Sequence, residues 1–184
     1  MLISICAISL FEQLVRVGRQ QPIHLNLCAL FFVEEIMYNE LFMKEAINEA
    51  KIAFKMGEVP IGCIIVKNNS IIAKGHNLKE NLMSVTRHAE LIAVENASSY
   101  LNNWRLDGCD LYVTLEPCPM CASAIKQARI NNVFCGLTSF DNVSHETIIS
   151  IFSNRFGNHL VNFSCGYLSS DCKELVDNFF KLKR

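Results

Sequence analysis

Cys118 and Cys121 sit three residues apart in Pro117-Cys118-Pro119-Met120-Cys121, with His88-Ala89-Glu90 upstream, and this pairing limits what the chain can fold into more than any other stretch. On the first turn of a helix, residues at i and i+3 point to one side, so both thiolates reach a single metal ion. His88 supplies a third ligand. Three protein ligands leave a tetrahedral zinc one open position for water, the arrangement of a catalytic rather than a closed structural site. Glu90, two residues past the histidine, is placed to move protons without binding the metal.

A lone C-x-x-C also fits half of a structural zinc site, a redox pair or two buried thiols. A four-cysteine site needs a second close pair. Cys6, Cys28, Cys63, Cys109, Cys135, Cys165 and Cys172 are scattered, with no two of them two to four residues apart. A redox motif accounts neither for the prolines at 117 and 119 nor for the upstream H-x-E. The combination H-x-E…P-C-x-x-C is the pattern of zinc-dependent base deaminases, expected where strands run into helix starts.

The chain has 184 residues, 51% hydrophobic and 19% charged, which suits one domain with a real core and argues against disorder. A net charge of −1 advertises no global basic field, so any nucleic-acid contact rests on a local patch such as Lys181-Leu182-Lys183-Arg184. Nine cysteines, an odd number without a pairing framework, fit a reducing cytoplasm better than secretion.

Residues 1–36 read differently from the rest. Met1 to Leu10 and Leu25 to Val33 are apolar, but Glu12, Arg16, Arg19 and Gln20-Gln21-Pro22 interrupt them, so no run reaches the ~18 to 20 residues of a membrane span. A signal peptide places its basic residues before the apolar stretch, whereas here the arginines follow it. The expected organisation is an extension or mis-assigned start over 1–36 and a functional domain over 37–184, because Met37-Tyr38-Asn39-Glu40 opens directly into a helical pattern.

That pattern runs from Tyr38 to Met56, with Phe42, Ala46, Ala50, Ala53 and Phe54 on the apolar side and Gly57 to stop it. Ile61 to Val66 reads as a buried strand, Lys67-Asn68-Asn69-Ser70 as a hairpin turn, and Ile71 to Lys74 as the returning strand. A polar loop to Arg87 precedes a helix over His88 to Ser98. A strand follows over Asp110 to Leu115, then a helix over Cys118 to Arg129 and a strand over Asn132 to Gly136. Helices near Thr147 to Phe152 and Asp171 to Lys183, with a short strand near Leu160 to Ser164, complete the reading. Strands alternating with helices imply a sheet with helices packed on it.

His88 and Cys118 thus each fall at a helix N-terminus, where unpaired N–H groups favour thiolate over thiol at Cys118. Singly, His88 reads equally as a core histidine and Glu90 as a first-turn acid complementing the helix dipole. Jointly, beside the cysteine pair, they read as a site.

Gly57-Glu58-Val59-Pro60-Ile61-Gly62, Gly75-His76-Asn77, His88-Ala89-Glu90, Leu111 to Cys121 and Asp177-Asn178-Phe179-Phe180-Lys181 resemble the bacterial tRNA adenosine deaminase family. The resemblance runs from about Tyr38 to the C-terminus. It implies the cytidine-deaminase-like α/β fold, a three-layer α/β/α arrangement with a central mixed sheet of about five strands and helices on both faces. It further implies hydrolytic conversion of adenosine to inosine at the wobble position of a tRNA anticodon stem-loop by a homodimer holding one Zn2+ per subunit. By motif position, His88, Cys118 and Cys121 would bind zinc and Glu90 would shuttle protons. Asn77 and Ala89 would contact the flipped base.

Two departures bear on how an anticodon loop is held, and neither touches a metal ligand. Ser84-Val85-Thr86-Arg87 stands where the family usually has Asp-Pro-Thr-Ala, and Ser139, Val143 and Glu146 replace its usual Asp and glycines. At the C-terminus, Phe180, Lys183 and Arg184 offer an aromatic face and cations to RNA. The plainer reading makes one phenylalanine core and the cations partners of the helix dipole. The rival activity is deamination of a free base or nucleotide such as guanine, cytosine or dCMP. A non-catalytic subunit would have a degraded site, and all four core residues are intact.

Overall fold

The computed structural model describes residues 38–138, 142–154 and 159–183; residues 1–36, with the boundary expected at Met37, lie outside them. Ten elements follow in order: α1 (Glu40–Lys55), β1 (Gly62–Lys67), β2 (Ser70–His76), α2 (Ala89–Leu101), β3 (Cys109–Leu115), α3 (Pro119–Gln127), β4 (Asn132–Leu137), α4 (Asn142–Ser153), β5 (Asn162–Cys165) and α5 (Ser169–Leu182).

The strands form one sheet in the order β2-β1-β3-β4-β5. β1 runs antiparallel to β2 and to β3, whereas β3, β4 and β5 are parallel, so the sheet is mixed as expected. Side chains alternate across a strand, and this splits the core in two. Cys63, Ile65, Leu111, Val113, Val133 and Cys135 pack with α2, α3 and α4 through Ala93, Ala97, Ala122, Ile125, Ile148 and Phe152. Ile64, Val66, Tyr112 and Phe134 face the other way onto Met43, Ala46 and Ile47 of α1 and Cys172 of α5. Burying each of these large apolar side chains contributes about 1.5–3 kcal/mol, which is why the central strands read as unbroken hydrophobic runs.

Local chemistry sets most boundaries. Asn39 caps α1 through its side chain on Leu41 N–H, and Gly57 at φ 78° follows the helix end. Asn68 and Asn69, at φ 49° and 57°, make the tight hairpin turn. α4 starts at Asn142, earlier than Thr147. Its first turn buries no apolar residue, Val143 being exposed, so the periodicity begins only at Ile148 and Phe152. α2 continues past Ser98 until Asn102 turns left-handed at φ 49°.

Two glycines bring helices unusually close to the sheet. A Cβ on Gly62 would lie 2.1 Å from the Ala46 carbonyl of α1, and one on Gly75 would lie 2.3 Å from the Ala89 carbonyl of α2. The second approach fixes the start of α2 against β2, next to His88.

Candidate metal centre

Each helix bearing the cluster begins on a metal-ligand candidate. His88 is the N-cap of α2 and Cys118 the N-cap of α3, both with extended backbone and neither capping through its side chain. At the first helical position neither side chain is needed. Asn77 Oδ1 accepts from Ala89 N–H at 2.9 Å, and α3 opens with Pro119, which has no N–H to satisfy. The imidazole and the thiol are therefore free to face one another.

His88 Nδ1 lies 3.7 Å from Cys118 Sγ and 3.6 Å from Cys121 Sγ, and the three atoms lie within 4.8 Å of one another. Zn–S bonds of ~2.3 Å and Zn–N bonds of ~2.0–2.1 Å at a tetrahedral angle place N and S about 3.6 Å apart, so the donor set fits zinc. Among the described residues no other group of His, Cys, Asp or Glu is arranged to hold a metal. A hydrogen bond from the Cys121 thiol, helped by the Cys121 and Met120 peptide N–H groups and His88, draws the Cys118 sulfur down to about 5. The same shared proton, and burial, push Cys121 upward. A divalent cation binds thiolates, so metal uptake at this pair is coupled to loss of thiol protons.

Glu90 is 3% exposed, and its Oε2 has no hydrogen-bond partner among the described residues. Burial pushes its carboxyl group up to about 7. With the Cys121 thiol beside it and one oxygen free of partners among the described residues, this buried carboxyl group can exchange protons at the cluster.

The other expected site residues are placed unequally. Asn77 is buried beside the cluster, its Oδ1 spent on α2. Ala89 is wholly buried, with its N–H taken by Asn77. Phe179 is buried and Phe180 is 47% exposed, as the core reading of one phenylalanine requires. The Lys183 ammonium sits 5.4 Å over the Phe179 ring, and Arg184 lies outside the described residues. The segment before His88 is organised by Glu58, which accepts from Asn81 N–H at 2.7 Å and Asn81 Nδ2 at 2.8 Å. Burial opposes ionisation of Glu58, but these bonds outweigh it and hold the carboxyl group below its usual range. Leu82, Met83 and Val85 remain exposed on this segment, and Arg87 pairs with Glu95 at 2.6 Å. Glu116, inside the Leu111 to Cys121 stretch that carries the resemblance, pairs with His145, whose Nδ1 lies 3.1 Å from both carboxyl oxygens; neither was among the expected site residues.

A helix start carrying His and Glu beside a second carrying two cysteines, on a mixed sheet, defines a zinc-dependent hydrolytic deaminase. The family model for the cytidine and deoxycytidylate deaminase zinc-binding region matches residues 37–137, and the chain belongs to that family. Within it, the chain stands with the tRNA-specific adenosine deaminases. It is 41% identical over 143 residues to the tRNA-specific adenosine deaminase of Bacillus subtilis (strain 168), covering 78% of this chain and 89% of that one. A solved structure from studies of A-to-I editing by tRNA:A34 deaminases superposes with a TM-score of 0.69 at 37% identity, over 74% of this chain and 99% of that one. The guanine deaminase of Bacillus subtilis superposes with a TM-score of 0.54 at 38% identity, over 59% of this chain and 70% of that one.

Proposed function

We propose that the protein converts adenosine to inosine at the wobble position of a tRNA anticodon stem-loop, consuming water and releasing ammonia. The observation that carries this reading is the His88, Cys118 and Cys121 cluster with the buried, unpartnered Glu90 oxygen beside it, in a chain similar along most of its length to tRNA-specific adenosine deaminases. Zinc held by His88, Cys118 and Cys121 supplies a Lewis acid that makes water a nucleophile near neutral pH. Glu90 accepts a proton from the attacking water and delivers it to N1 of adenine as oxygen adds to C6. The carboxylate then takes the proton of the new C6 hydroxyl and passes it to the amino group as the C6–N bond breaks, leaving the C6 carbonyl and N1–H of inosine with free ammonia. Asn77 Oδ1 is held by α2, which leaves its Nδ2 to donate to the base.

The likeness to guanine deaminase favours one second reading, deamination of a free base. Offering the purified protein an anticodon stem-loop with adenosine at the wobble position, beside free guanine, adenine, cytosine and cytidine, separates the two. Inosine in the stem-loop with matching ammonia supports the first, and faster turnover of a free base overturns it.

Acting on a looped RNA requires interactions that offset unstacking of the target base, and the exposed Phe180 with Lys183 and Arg184 is assigned to them. Removing residues 181–184 weakens stem-loop binding and flattens its salt dependence by about 0.7 in logarithmic slope for each phosphate that the tail would have neutralised, with zinc content unchanged. A binding curve and salt slope equal to those of the intact chain exclude the tail from RNA binding.

The domain is assigned to residues 37–184, supported by a family match that starts at residue 37. A chain beginning at Met37 keeps full activity and melts within about 2 °C of the longer one, a difference under ~1 kcal/mol at this size. A larger drop means that residues 1–36 pack on the domain.

A homodimer is assigned on the likeness to the tRNA adenosine deaminases; a groove of about 700 Å3 lined by Val94, Trp104 and Ile151 but also by Ser98, Gln127 and Arg129, with Trp104 62% exposed, offers a surface for the second copy. Light scattering of the purified chain reads this directly. The cytoplasm is the assigned compartment, on the cysteine content; among the described residues no helix is long and apolar enough to cross a membrane.

A further inference from the structure

Glu116 follows the last residue of β3 and stands two residues before Cys118, with Pro117 between them. Its carboxyl group is 1% exposed, and both oxygens lie 3.1 Å from Nδ1 of His145 on the first turns of α4. Its backbone N–H is anchored separately, donating to the Leu137 carbonyl at the end of β4 at 2.8 Å. The imidazole leans against Phe163 of β5, with ring centroids 6.0 Å apart.

We infer that His145 is a positioning residue for the metal centre, acting through Glu116 to hold the Cys118 turn against α4. Pro117 and Pro119 each fix φ, so the chain on either side of Cys118 has little freedom to absorb a displacement. A shift of Glu116 therefore passes into the Cys118 sulfur. The backbone bond to β4 resists that shift, and so does the Nδ1–H of His145, which faces both carboxyl oxygens. Groups behind a ligand orient it, and their loss typically costs 10–100-fold in metal retention or activity. The ligand identity of Cys118 comes from the functional reading above; the bracing by His145 is the added step.

The test measures zinc release to an excess of a coloured chelator from zinc-loaded protein, with melting curves recorded beside it. Three variants separate the possible causes. His145→Ala removes both the bond and the packing on Phe163, His145→Phe keeps the packing without a donor, and His145→Gln restores a donor to Glu116. Release about 10-fold faster in His145→Ala and His145→Phe, with His145→Gln within about threefold of the parent, is the expected result. Parent-like release from His145→Phe overturns the inference, since the hydrogen bond would then hold nothing. So does release from His145→Gln as fast as from His145→Phe. A parent protein that binds no zinc at all overturns the functional reading along with this one, and that outcome is distinct from a parent that binds zinc and variants that release it no faster.

Discussion

Glu90→Gln keeps its zinc and its fold and loses at least ~10²-fold in the rate of deamination, within the ~10²–10⁴ range that a positioned acid and base supply. The substitution is nearly isosteric at a site that is 3% exposed, so packing around the Ala89 to Ala93 turn is retained. What it removes is the ability to take and give a proton. An amide at this position presents a fixed donor where Glu90 leaves Oε2 without a partner among the described residues. Single-turnover measurements on protein matched for zinc content read the chemical step directly. Turnover within a few-fold of the parent would place the proton shuttle on another group.

Replacing both cysteines, as Cys118→Ser with Cys121→Ser, abolishes metal binding, where the parent holds about one zinc per chain as a single three-ligand site requires. Serine is a poor zinc ligand. The double change also removes both sulfurs, so the proton release that accompanies metal uptake disappears together with the metal. Because the two positions open α3, the circular dichroism of the double variant tests whether the helix start survives without metal. Full zinc occupancy in that variant would move the site away from this stretch altogether.

The cluster was legible because its signal is local in each half: a histidine and a glutamate two apart, two cysteines three apart, each at a helix start that the sequence itself punctuates. The sheet was legible for a related reason. Ile64 and Ile65 face opposite layers, and only a strand covered on both sides accommodates an unbroken apolar run there. What escaped depends on partners distant in sequence. Asn77 reads as a polar residue after a strand, and nothing nearby reveals that its oxygen serves the Ala89 N–H. His145 sits in a first turn with no buried apolar side chain, so neither the start of α4 nor the pairing with Glu116, 29 residues earlier, has a local mark. Glu58 sits in a motif that carries the resemblance, yet its engagement with Asn81, 23 residues on, follows only from the fold.

The metal donors belong to two helix starts separated by 30 residues of chain, with β3 between them. A cation gripping both ends binds the folded arrangement and is lost when unfolding scatters the donors, so its binding free energy adds to the folding free energy. At free zinc about 100 times its dissociation constant this adds about 2.7 kcal/mol, a sizeable fraction of the ~5–15 kcal/mol that separates a folded domain from its unfolded ensemble. Resistance of this protein to heat then depends on the free zinc around it, and a chelator acts on it as a denaturant aimed at one site.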